Sequence, residues 1–122
     1  MSWQFRDNEP VFLQIKKRLR SEIVTGIYPP NSQIPTVRQL AFEAAVNPNT
    51  VQKALTELEY EGLLEGRGTV GRFVTGNVEV LSEAKRKMYR DAVLSWIKEA
   101  KALGITKEEL IDLITKEDDD CE

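Results

Sequence analysis

The sequence predicts a mainly α protein with one small β-hairpin, followed by a helical C-terminal segment. Three observations predict it. Apolar residues recur at three- and four-residue steps in three successive segments before Gly62. The second and third segments are separated only by Val46 and Asn47. A glycine-rich stretch, Gly66 to Gly71, lies between Leu63-Leu64-Glu65 and Phe73-Val74-Thr75, two short runs that read as strands. Helix, tight turn, helix and hairpin in that order make a winged helix-turn-helix, and the order is more specific than any one signal in it.

In chain order, residues 2–9 are a polar lead-in whose Trp3 and Phe5 suit an arm packed back on the domain. The first helix runs from Pro10 to Gly26, with Phe12, Ile15, Leu19 and Ile23 as its core stripe. Lys16, Lys17, Arg18 and Arg20 form a basic run on it, which reads as a solvated face unless part of it nears phosphate. Residues 27–34 connect, with Ile27 and Ile34 as apolar pegs.

A short helix spans Pro35 to Ala45. Thr36 and Gln39 have the spacing of a capping box, and Val37, Leu40, Ala41 and Ala44 form its buried side. The next helix has Asn47 as N-cap, Pro48 at its first position and Gly62 as the left-handed residue that ends it. Val51, Ala54, Leu55 and Leu58 make its apolar face. Asn49, Thr50, Gln52 and Lys53 present uncharged or cationic hydrogen-bonding groups at its beginning, whereas Glu57, Glu59 and Glu61 lie toward its end. A helix with donors at its tip and carboxylates at its far end suits entry into DNA tip-first; the plainer reading is a well-capped surface helix.

Composition narrows the function. The chain has no His, which removes the commonest general base, Ser-His and Cys-His nucleophile pairs and nearly all zinc sites. An enzyme is not expected, and neither cofactor nor metal is implied. The single Cys121 allows no internal disulfide and fits a reducing cytoplasm. No apolar run approaches the ~20 residues a membrane helix needs, and the first residues lack a signal peptide's apolar core. The net charge of −3 is unevenly spread: residues 1–76 carry 9 Lys/Arg against 8 Asp/Glu, residues 77–122 carry 8 against 12. Any affinity for DNA must therefore come from a local patch.

Pro10-Val11-Phe12, Gln14-Ile15, Ile23, Gly26, Ile34-Pro35-Thr36-Val37-Arg38 and Leu40-Ala41 together resemble the N-terminal domain of GntR-family transcriptional regulators. Val46 to Ala54, Leu58, Gly62-Leu63-Leu64 and Gly71-Arg72-Phe73-Val74 continue the likeness, which covers residues 9–75. The wording Asn47-Pro48-Asn49-Thr50-Val51 resembles the YtrA subfamily in particular. Asn31 stands where the family usually has Gly, Thr36 where Ser is usual, and Thr69 in the slot of the wing's first glycine, with Gly68 one place early.

The resemblance implies that Arg38 contacts DNA, that the second helix of the motif enters the major groove and that the wing enters the minor groove. Residue by residue it points to Thr36, Arg38, Asn49, Thr50, Gln52, Lys53, Arg67 and Gly71 as DNA-binding positions. The chemistry agrees: Arg can pair bidentately with guanine or clamp phosphate, and Asn or Gln can pair bidentately with adenine. Hydroxyls at helix N-termini sit beside N–H groups suited to phosphate. For Arg67 a solvated loop cation is the plainer alternative, and the wing glycines also serve turn geometry.

After Asn77 the character changes. Ser82 can cap a long helix to about Gly104, with Ala84, Met88, Ala92, Trp96, Ala100 and Leu103 along one side and Tyr89, Val93 and Ile97 widening the stripe. Thr106 and Glu109 make a second capping box before Leu110, Ile111, Leu113 and Ile114. Two helices cannot bury both faces on themselves, so a partner chain is the natural cover; the YtrA subfamily is similar, with a short helical dimerisation tail. Glu117 to Glu122 reads as an acidic, disordered end.

The reading is a winged helix-turn-helix DNA-binding domain over 1–76 and a two-helix dimerisation segment with an acidic tail over 77–122. The function expected is that of a cytoplasmic homodimeric repressor binding a two-fold symmetric operator in double-stranded DNA, with a small-molecule effector left open. The rival is a winged-helix protein-interaction module without DNA binding. The polar start of the helix over residues 47–61 favours the first, since a protein-binding face would carry aromatics there.

Overall fold

A computed structural model describes residues 3–120, with side chains through Glu117. Its elements are α1 (Val11–Val24), α2 (Val37–Ala44), α3 (Pro48–Tyr60), β1 (Leu64–Gly66), β2 (Arg72–Val74), α4 (Val78–Ala102) and α5 (Lys107–Asp120). The chain divides into two compact units, Met1–Lys85 and Arg86–Glu122.

In the first unit α3 is the central element. Its Val51, Ala54, Leu55 and Leu58 are all buried, against Ile15, Leu19 and Ile23 of α1, Leu40 and Ala41 of α2, and Leu63, Leu64 and Val74 of the wing. Burial of side chains this size stabilises by about 1.5–3 kcal/mol each, so the apolar stripe alone fixes which face of α3 stays outside. Trp3 and Phe5 stack on one another and pack against this core, as the arm reading expected. Gln14 clasps the arm, its amide donating to the carbonyls of Arg6 and Glu9 and accepting from the Arg6 N–H.

The helix signals act as their chemistry requires. Thr36 Oγ1 accepts from the Gln39 N–H while the Gln39 side chain accepts from the Thr36 N–H, a complete capping box. Asn47 Oδ1 accepts from the Asn49 N–H, and Pro48 opens α3. Gly62 leaves α3 at a φ of 83°, which an L side chain would resist. Thr106 and Glu109 repeat the capping box at α5.

Several local expectations are corrected. The motif's turn is Ala45-Val46-Asn47, because α2 stops at Ala44 and Ala45 takes the left-handed conformation at a φ of 56°. Ile34 is buried but Ile27 is not, 60% of it remaining exposed. Asn77, not Ser82, caps α4, its Oδ1 accepting from the N–H groups of Glu79 and Val80, and the helix begins five residues earlier than expected. The acidic end is helical through Asp120 as a continuation of α5; Cys121 and Glu122 lie outside the described residues.

Residues 31–34 are more than a connector. Their backbone runs beside β2: Asn31 N–H donates to Val74 O, Val74 N–H to Ser32 O, and Ile34 N–H to Arg72 O. Gln33 thereby faces Phe73 as an antiparallel bridge, and the two-stranded wing gains a third edge. Asn31 has a φ of 67°, which explains why glycine suits this position and why Asn, tolerant of left-handed backbone, can replace it.

In the second unit α4 and the start of α5 leave apolar side chains uncovered. Trp96 is 72% exposed, and Val93, Ile111, Leu113 and Ile114 are also exposed. With Ile97 and Leu110 they line a groove of about 530 Å³, with Lys101, Lys107 and Glu117 also along it.

Candidate nucleic-acid interface

The basic run on α1 is spent inside the protein. Lys16 Nζ lies 2.8 Å from Glu57 Oε1 and 2.6 Å from Glu61 Oε2. Arg20 forks onto both oxygens of Glu61 at 2.9 Å. Lys17 pairs with Glu9 at 2.5 Å, and Arg18 lies over the Trp3 ring with Glu22 3.9 Å away. The run is therefore neither a purely solvated face nor free for phosphate, because carboxylates of the same unit neutralise its charge. Hydrogen bonds that Lys16 donates to Glu57 and Glu61 raise its pKa above the usual value despite some desolvation. Burial alone would raise the Glu61 carboxyl, but the donors on Lys16 and Arg20 outweigh it and hold it below the usual range. Burial pushes the Glu22 carboxyl up, opposed by Arg18 and reinforced by Glu43.

This arrangement also explains the acidic end of α3. Glu57 and Glu61 turn toward α1, and Glu59 pairs with Arg72 of the wing. The carboxylates that would repel phosphate are thus occupied by cations of the same unit. Arg38 and Lys53 are the two cations of residues 1–76 with no carboxylate partner among the described residues. Arg38 is the second residue of α2 and exposed. Lys53 sits in the second turn of α3, its ammonium 3.8 Å from the centre of the Phe12 ring. That cation–π contact orients the amine without neutralising it.

The other predicted positions fall around these two. Thr36 is the N-cap of α2; its oxygen is engaged by Gln39, but its O–H remains able to donate. Asn49 is exposed and Thr50 half-buried in the first turn of α3. Gln52 is exposed and makes only a long 3.4 Å contact to Thr56 Oγ1, which leaves its amide available. Thr36 and Arg38 on α2, and Asn49, Thr50, Gln52 and Lys53 on α3, thus belong to the starts of the motif's two helices.

Arg67 and Gly71 stand apart on the wing. The Arg67 guanidinium lies 4.0 Å from the centre of the Phe73 ring, with Glu65 3.8 Å away. Gly71 has a φ of 131°, which strains any L side chain, and a Cβ there would lie 2.6 Å from Gln33 Nε2 and push that amide aside. Three residues in supporting contacts were not flagged for this role from sequence. Phe12 was read as core, Gln33 as connector, and Arg72 only as part of the resemblance. Their roles depend on contacts with residues far along the chain, which no local pattern reports.

Residues 12–74 match the family model described as bacterial regulatory proteins, gntR family. The chain belongs to this family. Over 109 residues it is 36% identical to the HTH-type transcriptional repressor YtrA of Bacillus subtilis, covering 86% of this chain and 82% of that protein. A GntR family transcriptional regulator from Listeria monocytogenes has the same architecture, with a TM-score of 0.85 at 31% identity over 92% of this chain and 98% of that one. The AraR DNA-binding domain, solved in complex with operator ORX1, is similar over 59% of this chain and 93% of its own, with a TM-score of 0.56 at 30% identity. The chain is therefore a helix-turn-helix transcriptional regulator with a winged-helix fold. Among the described residues no group of three or more His, Cys, Asp or Glu could hold a metal ion, and no helix is long and apolar enough to cross a membrane.

Proposed function

We propose that this regulator is a cytoplasmic repressor that binds a two-fold symmetric operator as a homodimer. Residues 1–76 act as the DNA-reading domain and residues 77–122 as the dimerisation segment. The observation that carries the reading is the position of the unneutralised charge: Arg38 and Lys53 lack carboxylate partners among the described residues, and both sit at the starts of the motif's helices.

Each side chain then has a role. Arg38 pairs bidentately with a base or clamps a phosphate, and Asn49 and Gln52 read base edges in the major groove. Thr36, Thr50 and Lys53 hold the phosphate backbone, Lys53 braced on Phe12. Arg67 is presented to the minor groove on the Phe73 ring, and Gly71 keeps the wing slim enough to enter. The AraR domain bound to its operator supports this mode of reading.

Dimerisation follows from the uncovered face of α4 and α5, where a second copy would bury Trp96, Val93, Ile111 and Ile114. The groove suits a partner chain better than a small-molecule effector, because among the described residues its charged side chains are Lys101, Lys107 and Glu117 and ligand pockets need converging polar groups.

Selection of binding sites from random duplexes tests the reading. A palindromic site should emerge, Gln52→Ala should relax preference at one position of each half-site, and Lys53→Ala should weaken all sequences alike. Failure to enrich any site would refute sequence-specific binding.

A further inference from the structure

The tip of the wing is held from outside the wing. β1 and β2 pair only at Leu64–Val74, Glu65–Phe73 and Gly66–Arg72. Beyond them the chain closes on itself, Arg67 N–H donating to Gly71 O at 2.8 Å and Val70 N–H to Arg67 O at 3.1 Å. Those bonds shape the turn but do not tie it to the helices. The base of the wing is tied, through Arg72 and Glu59 of α3. At the tip, the side-chain hydrogen bond arriving from beyond β1 and β2, among the described residues, is that of Gln33 in the segment leading to α2, whose Nε2 donates to Val70 O at 2.7 Å.

Gln33 is well placed to act as a strut. Its backbone is bridged to Phe73, and the Ile34 N–H next to it donates to Arg72 O at 3.0 Å. Three residues further on, Thr36 caps α2. The same residue therefore joins the beginning of α2 to the wing tip. Its amide lies so close to Gly71 that a Cβ there would come within 2.6 Å of Nε2 and displace it. Phe73, its bridge partner, is the ring that carries the Arg67 guanidinium. Yet Gln33 is itself exposed, so burial does not explain its contact with Val70.

We propose that Gln33 is a positioning residue for operator recognition: it orients the wing tip, and with it Arg67, relative to α2 and α3 without touching DNA. This rests on the assignment of Arg67 as a minor-groove contact. A wing tip pinned in the free protein loses less freedom on binding, so the strut contributes to affinity through the unbound state. Gln33→Ala removes the donor, and Gln33→Glu replaces it with an acceptor that repels the Val70 carbonyl.

The test uses the full chain, with both variants made in wild-type and Arg67→Ala backgrounds. In the background that keeps Arg67, trypsin cleavage at the Arg67–Gly68 bond, followed by mass spectrometry, reports opening of the tip in the free protein. Affinity for the selected operator reports function. Gln33→Ala and Gln33→Glu should keep the wild-type melting temperature within about 2 °C, as exposed substitutions do. They should accelerate cleavage several-fold and weaken operator binding about two- to tenfold, the factor one net hydrogen bond supplies. That loss should vanish in the Arg67→Ala background. Unchanged cleavage overturns the strut, and an affinity loss that persists without Arg67 shows that Gln33 meets DNA itself. If Arg67→Ala alone leaves affinity unchanged, the Arg67 assignment fails, while the cleavage rate still decides whether Gln33 holds the tip.

Discussion

The two units spend their side chains in opposite ways. In Met1–Lys85 a core is complete: Ile15, Leu19, Leu55, Leu58 and Val74 are almost wholly buried, and although Phe42 and Tyr60 stay exposed, what faces outward at the starts of α2 and α3 is polar. In Arg86–Glu122 the apolar residues remain outward, Trp96 foremost. A region whose core is complete has its polar groups free for a polar partner such as DNA. A region whose apolar stripe is uncovered can complete its folding only against another apolar surface. The contrast supports the proposed division, in which the first unit folds alone and the second is covered by a partner chain.

The sharpest way to break this comparison is to separate the units. Val80, Leu81 and Ala84 of α4 pack against the first unit's core, so the cut belongs after Lys85. A chain ending there should remain folded by circular dichroism and be monomeric by light scattering. Its operator affinity should fall by roughly 10²–10⁴, the advantage of linking two half-site readers. A truncated chain that stays dimeric with full affinity would remove the tail from dimerisation.

Within the reader, Leu55→Ala opens a cavity at the centre of α3, where the side chain is 1% exposed. It should cost about 2–5 kcal/mol in thermal or denaturant unfolding. Ile111→Ala on the uncovered face of α5 should cost far less in dilute monomer and show its effect only where the dimer forms. Equal losses at both positions under monomeric conditions would erase the distinction between the units.

Arg38→Ala should weaken operator binding by about 1–3 kcal/mol, measured by fluorescence anisotropy, while leaving unfolding unchanged. Arg20→Ala should do the reverse, because Arg20 is committed to Glu61. If Arg20 and Arg38 matter equally for DNA, the division between spent and free cations is wrong.

The smallest effect concerns Glu61. Lys16 and Arg20 lower its folded pKa, so the stability this gives is complete above the ordinary carboxylate value of 4.5 and disappears as pH falls through the lowered one. Wild type should exceed Glu61→Gln by about 1 kcal/mol at neutral pH, a modest value because the pair is partly solvated. The difference should close in acid, as followed by urea unfolding at several pH values. A constant difference across that range would mean the carboxylate's charge is not what matters.

By itself the sequence determined the elements and their order. Helices are read from steps of three and four residues, and caps from side chains two or three positions away. Thr36 with Gln39, Asn47 with Pro48, and Thr106 with Glu109 could therefore be seen in the chain as written. The core face of α3 followed from the same arithmetic. Tertiary structure alone decided which cations are free. Lys16 and Arg20 are neutralised by carboxylates 41 residues or more along the chain, so the basic run on α1 and the acidic end of α3 cancel only after folding. It also made residues 31–34 a third edge of the wing, through backbone pairing that any side chains could make, and brought the Gln33 amide to the Val70 carbonyl at the wing tip. Periodicity and capping are local and leave marks in the sequence. Ion pairing and strand addition join distant residues through charge and backbone groups that carry no address, so only the folded chain names their partners.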